Sequence, residues 1–188
     1  QIWSDVLTGS EVTTIFWGGE TLPIVNASGG DYSFKVSASE SQLKGFEVHY
    51  SGSDGWDEVD GDSGVIISQN TDEVKVQGIH SKYNTVAFRL DRADDTEMLY
   101  NTMHCDGSAL KVGLFTHSSK NLFVEGGDYS CAEDIGIYLL YGGNHILKNL
   151  YVQNNEVGIK VEQSTGNYFN YSYFYDNEEV GILPVSYT

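Results

Sequence analysis

Five carboxylates fall within nine residues in the stretch Asp54-Gly55-Trp56-Asp57-Glu58-Val59-Asp60-Gly61-Asp62. Carboxylates packed so closely repel one another unless water separates them or a hard cation sits among them, and Ca2+ accepts about six to eight oxygens in flexible geometry. The spacing lacks the D-x-[DN]-x-[DN]-G frame of an EF-hand. The expectation is therefore either an irregular Ca2+ loop built from Asp54, Asp57, Glu58, Asp60 and Asp62, or an acidic loop spread in solvent. Trp56, in the middle of it, suits stacking on a sugar ring.

Two other sets of residues could do chemistry. His49, His80 and His104 recur at a related position along the chain, with Ser130, Gln153 and Tyr175 continuing the series; Glu47, Gly78, Thr102, Asp128, Tyr151 and Tyr173 run beside them. Stacked imidazoles can ligate a metal, although histidines without a clear carboxylate partner are more simply a polar surface. Tyr151, Tyr173 and Tyr175 end the strip as an aromatic patch, suited to a carbohydrate groove or a subunit interface. The chain's only arginines, Arg89 and Arg92, cluster around Asp91, with Lys111 further on. That cluster reads first as ion pairing, Arg89 with Asp91 and Arg92 with Asp94 or Asp95.

What positions these residues is a repeat. Three apolar columns can be laid out: Leu43, Val74, Met98, Val124, Leu147 and Phe169; Val48, Ile79, Met103, Tyr129, Val152 and Phe174; and Ile66, Phe88, Val112, Ile137, Ile159 and Ile182. Steps of 22 to 25 residues in the third column leave no room for a helix in each cycle, so each turn must bury its apolar face against its neighbours. Around Ile137 and Ile159 apolar residues alternate with period two, as in strands with one face buried. The fold expected is an all-β, right-handed parallel β-helix of about six to seven coils with three sheets and a rise of ~4.8 Å per coil, the hand following the rule for parallel crossovers. Residues 1–42 form an irregular N-terminal cap and first coil, and residues 43–188 carry the repeats. The step from Val48 to Ile66 takes 18 residues, which marks 51–64 as an insertion.

The run Leu147-Lys148-Asn149-Leu150-Tyr151-Val152-Gln153-Asn154-Asn155-Glu156-Val157-Gly158-Ile159 resembles the repeats of the pectate lyase-like parallel β-helix superfamily. The resemblance extends from Leu43 to Val185. It implies the solenoid fold, and it places Asn154 in the asparagine ladder of such folds, turning a corner while its amide bonds along the stack. The superfamily's lyases use carboxylate-held Ca2+ with a Lys or Arg base and its hydrolases pair carboxylates. Arg89, Lys111, His104 and Asp128 are the catalytic candidates here, but no catalytic motif of the family maps onto the chain residue by residue.

Composition narrows the partners. The 188-residue chain has a net charge of −17, so nucleic acid and anionic membrane would be repelled, as would a polyanion without bridging cations. No apolar run approaches the ~20 residues of a membrane helix. Cys105 and Cys131 share one column with Tyr50, Ser81, Asn154 and Asp176, facing inward in adjacent coils, where one coil step fits disulfide geometry. A bonded pair and two free thiols are both open. Asn26 and Asn170 begin N-glycosylation sequons.

Three functions fit: an extracellular or cell-surface module that binds glycan or a neighbouring protein without catalysis; a polysaccharide lyase or related carbohydrate-active enzyme; or a structural subunit of a viral spike or surface assembly. The binding residues expected are Trp56, His80, His104, Tyr151, Tyr173 and Tyr175. A neighbouring subunit covering the C-terminal coil is the other partner considered.

Overall fold

A computed structural model describes residues 14–16 by their backbone, and residues 21–27, 29–49, 62–104 and 110–186 in full. All its regular elements are strands, stacked in parallel as a β-solenoid of about six turns. One sheet contains β3 (Tyr32–Val36), β5 (Ser63–Ile67), β7 (Val86–Asp91), β9 (Val112–His117), β11 (Ile135–Gly143), β14 (Val157–Thr165) and β17 (Val180–Val185), in that spatial order. We call it sheet A. Sheet B holds β1 (Thr14–Phe16), β4 (Gln42–His49), β6 (Lys75–Lys82), β8 (Glu97–His104), β10 (Phe123–Asp128), β12 (Ile146–Lys148) and β15 (Tyr168–Asn170), together with β2 (Ile24–Asn26), β13 (Tyr151–Gln153) and β16 (Tyr173–Tyr175).

Two sheets stand where three were expected, because the first and second apolar columns lie on strands of one bent sheet. The bend falls at Gly45, φ 76°, Gly78, φ 60°, and Tyr100, φ 54°, inside continuous strands. In the last two coils Asn149, φ 57°, and Tyr171, φ 49°, separate β12 from β13 and β15 from β16. One left-handed residue per turn bends a strand without ending its ladder; glycine adopts that conformation at no steric cost.

Register corrects the columns at four places. Leu43 pairs with Val76 rather than Val74, and Val48 with Ser81 while Ile79 pairs with Phe46. In sheet A the stack is Phe34, Val65, Phe88, Leu114, Ile137, Ile159 and Ile182, so Val65 replaces Ile66 and Leu114 replaces Val112. Ile66 is the outward neighbour of Val65, in register with Arg89, whereas Val112 is misplaced by a break in the alternation. Pairing in sheet A skips Gly136 and Gly158 between Ile135 and Ile137, and the strict alternation breaks there: Ile137 joins the interior cluster while Ile135 and Val112 belong to a second buried cluster with Phe115 and Tyr138. A Cβ on Gly136 would lie 2.7 Å from the Gly158 carbonyl oxygen and 2.8 Å from Asn155 Nδ2. A small residue before each inward apolar one is a packing requirement.

The asparagine ladder is offset by one residue from the expected Asn154. Asn155, 1% exposed, accepts the Ala132 N–H at Oδ1 (2.7 Å) and donates from Nδ2 to the Tyr129 carbonyl (3.2 Å) and Asn177 Oδ1 (3.1 Å). Asn177 repeats the pattern one turn on, donating to the Val152 carbonyl. Asn154 has the other half of the job, the left-handed corner at φ 55°, and is exposed. Cys131 occupies that same corner position at φ 67° and is half-buried rather than inward-facing, as the shared column required. It is disulfide-bonded; the chain's other cysteine, Cys105, lies outside the described residues.

At the opposite corner a histidine fills an interior slot. His145, 0% exposed, accepts the Leu122 N–H at Nδ1 (3.2 Å), while its own backbone N–H donates to Asn167 Oδ1 (3.1 Å). Burial pushes the imidazole down to about 4 from an ordinary 6.5. The folded state thus resists a proton that the unfolded chain takes up below about pH 6.5. Stability should be fully present above that pH and fall as pH drops toward 4, by about 3 kcal/mol at ~1.4 kcal/mol per unit. His145→Asn keeps an acceptor for Leu122 and removes the titration. Urea unfolding at pH 7 and pH 4.5 should show the wild type losing more stability than this variant; equal losses would contradict the neutral buried imidazole.

Candidate functional site

Parallel stacking brings one position of every turn into line, so the outer face of sheet B is an array of columns ~4.8 Å apart along the solenoid. One column is Glu47, His80, Thr102, Asp128, Tyr151 and Tyr173. Two residues on in each strand, the next column contains His49, Lys82 and His104, and later Gln153 and Tyr175. The two-residue slip at Ile79 moves His80 from the histidine column into its neighbour. It keeps the outward face, because side chains alternate with period two.

The array changes character along its length. At the early coils it is ionic: Glu47 Oε2 accepts from His49 Nε2 at 2.9 Å and from Lys82 Nζ at 3.3 Å. Burial would raise that carboxyl, but the hydrogen bonds from His49 and Lys82 outweigh it and hold Glu47 below the ordinary carboxylate range. The diagonal that joins Glu47 to Lys82 recurs one turn on between His80 and His104, whose ring centroids are 5.6 Å apart. Burial and the neighbouring His104 lower the pKa of His80. His104 Nε2 and Thr102 Oγ1 are buried without a hydrogen-bond partner. Further along, Ser130 Oγ donates to Asp128 Oδ1.

At the last two coils the same columns become aromatic. Tyr151 and Tyr173 stack in parallel, centroids 5.3 Å apart and rings within 11°. With Tyr175 they are 49, 58 and 47% exposed, so about half of each side chain is open to a ligand. Tyr168 and Ile146, paired in register on the adjoining strands, widen the patch, and Tyr171 stands at the bend beside it. Tyr168 and Tyr171 were not among the sequence candidates, although the tyrosine-rich run from Tyr168 to Tyr175 was a visible signal.

The four catalytic candidates do not converge. His104 and Asp128 lie on sheet B. Lys111 precedes β9 at the turn and is paired with Glu133. Arg89 lies on the outer face of sheet A, 6% exposed, with its guanidinium 5.2 Å from the centre of the Phe115 ring. Arg92 bonds Asp91 at 3.3 Å rather than Asp94 or Asp95, whose carboxylates accept from the Lys120 N–H and the Asn121 amide. His117 also bonds Asp91, at 3.1 Å.

A triad the sequence reading missed also lies on sheet A. Tyr138 O–H donates to Glu162 Oε2 at 2.6 Å, and Lys160 Nζ donates to both Tyr138 Oη (3.1 Å) and Glu162 Oε2 (2.9 Å). Tyr138 is 0% and Glu162 7% exposed. The Tyr138–Glu162 hydrogen bond ties neighbouring turns together, while the Lys160–Glu162 ion pair lies along one strand, and the buried phenol has no face open to a polymer.

Among the described residues no group of three or more His, Cys, Asp and Glu side chains could hold a metal ion; His80 and His104 form a two-imidazole pair. Asp54, Trp56, Asp57, Glu58 and Asp60 lie outside the described residues. Asp62 precedes β5, and its carbonyl accepts the Val86 N–H. Asn26 is exposed on β2 and Asn170 half-buried on β15. No described helix is long and apolar enough to cross a membrane.

Stacked parallel strands and an asparagine ladder at one corner define a protein of the parallel β-helix superfamily. Residues 25–188 match the family described as periplasmic copper-binding protein (NosD), and the chain belongs to that family. No curated protein matches it. Among solved structures it is similar to an alginate lyase from Paenibacillus, with 12% identity, a TM-score of 0.56, and 96% of this chain and 86% of that one covered. It is also similar to tailspike protein 2 of an Escherichia coli bacteriophage, with 14% identity, a TM-score of 0.54 and 87% of this chain covered. The chain spans about a third of the tailspike's length, 32%. Likeness at these identities is a likeness of fold.

Proposed function

We propose that the protein is an extracytoplasmic β-helix module that binds a neutral glycan, without catalysis, along the tyrosine end of sheet B. The observation that carries this reading is the parallel Tyr151–Tyr173 stack, half exposed and continued by Tyr175 and Tyr168. A stacked, half-exposed pair of rings held on a rigid sheet gives a sugar chain an apolar surface with phenol hydroxyls beside it at small entropic cost. Gln153 beside them and Asp128 one turn away offer hydrogen bonds to hydroxyls. The net charge of −17 disfavours an acidic polymer. The family's description as periplasmic and the disulfide at Cys131 support the compartment.

A non-catalytic reading is favoured because the candidate bases and acids are scattered over both sheets and the phenol and carboxylate of the Tyr138, Lys160 and Glu162 triad are buried. Electrophoresis through gels containing neutral or acidic polysaccharides, paired with an assay for unsaturated products, tests both halves. Retardation by a neutral polysaccharide with no product is expected. Unsaturated or shortened products would make the chain a lyase or hydrolase, in keeping with the alginate lyase whose fold it shares.

A second reading concerns metal. The family's description names copper, and copper binding by this chain is supported by the unpartnered, buried Nε2 of His104 next to the His80 ring.

A further inference from the structure

We infer that His80 and His104 form a two-coordinate site for copper(I), held between adjacent turns on the outer face of sheet B. The inference rests on the copper reading and assigns it residues, oxidation state and coordination number. It is independent of glycan binding, which uses the other end of the same sheet.

Geometry comes first. His80 on β6 and His104 on β8 occupy diagonal positions, since His80 is in register with Thr102 and Lys82 with His104. Both strands continue into neighbours on either side, β4 and β10, so the two imidazoles are borne by backbone fixed in a ladder rather than by a loop. Their ring centroids are 5.6 Å apart and the rings are tilted by 53°. A ring nitrogen lies about 1 Å from its centroid and a metal–imidazole bond is about 2 Å. Two imidazoles bound linearly to one ion therefore have centroids about 6 Å apart, close to the separation found here.

The donor set then selects the ion. Zn2+ asks for four ligands, or three and a water, and the described surroundings supply two. His49, the third histidine of the array, is committed to Glu47 at 2.9 Å and packs edge-on against Tyr83. Lys82, in register with His104, is a cation and repels a second positive charge, which favours a monovalent over a divalent ion. Its own pairing with Glu47 at 3.3 Å moderates that repulsion. A closed-shell monovalent copper ion is stable with two nitrogen donors, and imidazole is among its suitable ligands.

The atom that supports the copper reading also locates the site. His104 Nε2 is buried with no hydrogen-bond partner. A buried polar nitrogen left unsatisfied costs roughly 1–3 kcal/mol, and structures seldom keep one without a reason. A metal ion satisfies it as a lone-pair acceptor where no donor does.

The experiment titrates copper(I), supplied anaerobically with a colorimetric competing chelator, into the full chain and into His80→Ala, His104→Ala, His80→Gln and His49→Ala variants, with X-ray absorption on the loaded wild type. Expected are one copper(I) per chain, two nitrogen scatterers at about 2 Å, at least a hundredfold weaker binding when His80 is replaced by Ala or Gln or His104 by Ala, and no change for His49→Ala. Circular dichroism of each variant separates lost binding from lost fold. A wild-type chain that takes no copper(I) from the chelator overturns the copper reading and the site with it. Binding that survives both replacements, or four-coordinate absorption spectra, leaves copper binding intact and overturns this site.

Discussion

Ile137→Asp should abolish cooperative folding. Ile137 is fully buried, in register with Leu114 on one side and Ile159 on the other, at the centre of the interior stack that runs through sheet A. A carboxylate there has no described cation to pair with, and an unpaired buried charge costs well above the ~1 kcal/mol of a typical substitution. With domain stabilities of about 5–15 kcal/mol, an unpaired buried carboxylate, whose burial costs more than the lower end of that range, leaves little folded chain. The conservative Ile137→Val should cost only about 1 kcal/mol, which separates charge burial from loss of volume. Denaturant unfolding followed by circular dichroism checks both. A soluble Ile137→Asp protein with a native transition would mean that Ile137 does not face the interior.

The second large effect falls on two adjacent asparagines with opposite expectations. Asn155→Ala removes the acceptor for the Ala132 N–H and the donor to the Tyr129 carbonyl, both in the interior corner. It should cost about 2–4 kcal/mol, because buried partners left unsatisfied bear the full desolvation penalty. Asn154→Gly preserves the left-handed corner at an exposed site and should change stability by less than about 0.5 kcal/mol. Comparable losses in the two variants would contradict the assignment of the ladder to Asn155.

These asparagines also show what could be read from the sequence. The period, the parallel stacking and the inward side of most apolar residues followed from spacing alone, since each turn repeats one hydrophobic pattern. Slips of two, as at Val74 for Val76 or at Ile79, preserved the face because strand side chains alternate. Elsewhere the local backbone decided, and apolar periodicity could not show it: the break at Gly136 and its equivalents put Val112 and Ile135 on the outside, and the left-handed corner separated the roles of Asn154 and Asn155. A signal for the first existed, in the small residue preceding the inward one at Gly64-Val65, Ala87-Phe88, Gly113-Leu114, Gly136-Ile137, Gly158-Ile159 and Gly181-Ile182.

The outer face was partly legible. Tyr151, Tyr173 and Tyr175 were found as a strip, and His104 stayed in its column, because outward residues inherit the register of the inward ones. Lys82 was missed, since its position depended on the slip at Ile79. The Tyr138, Lys160 and Glu162 triad was missed because it needs the register of β11 against β14 to bring Tyr138 beside Lys160 and Leu140 beside Glu162.

The aromatic end of sheet B as a glycan platform is tested most directly by calorimetric titration of whichever neutral polysaccharide retards the protein. The wild type should be compared with a Tyr151→Ala/Tyr173→Ala double variant and with Lys160→Ala. If the sugar lies on the tyrosines, the double variant should bind at least tenfold more weakly, since each lost stacking contact is worth about 1 kcal/mol or more. Lys160→Ala, on the other sheet, should bind like the wild type. Full affinity in the double variant, or loss of affinity in Lys160→Ala with its fold intact, would place the glycan on another face.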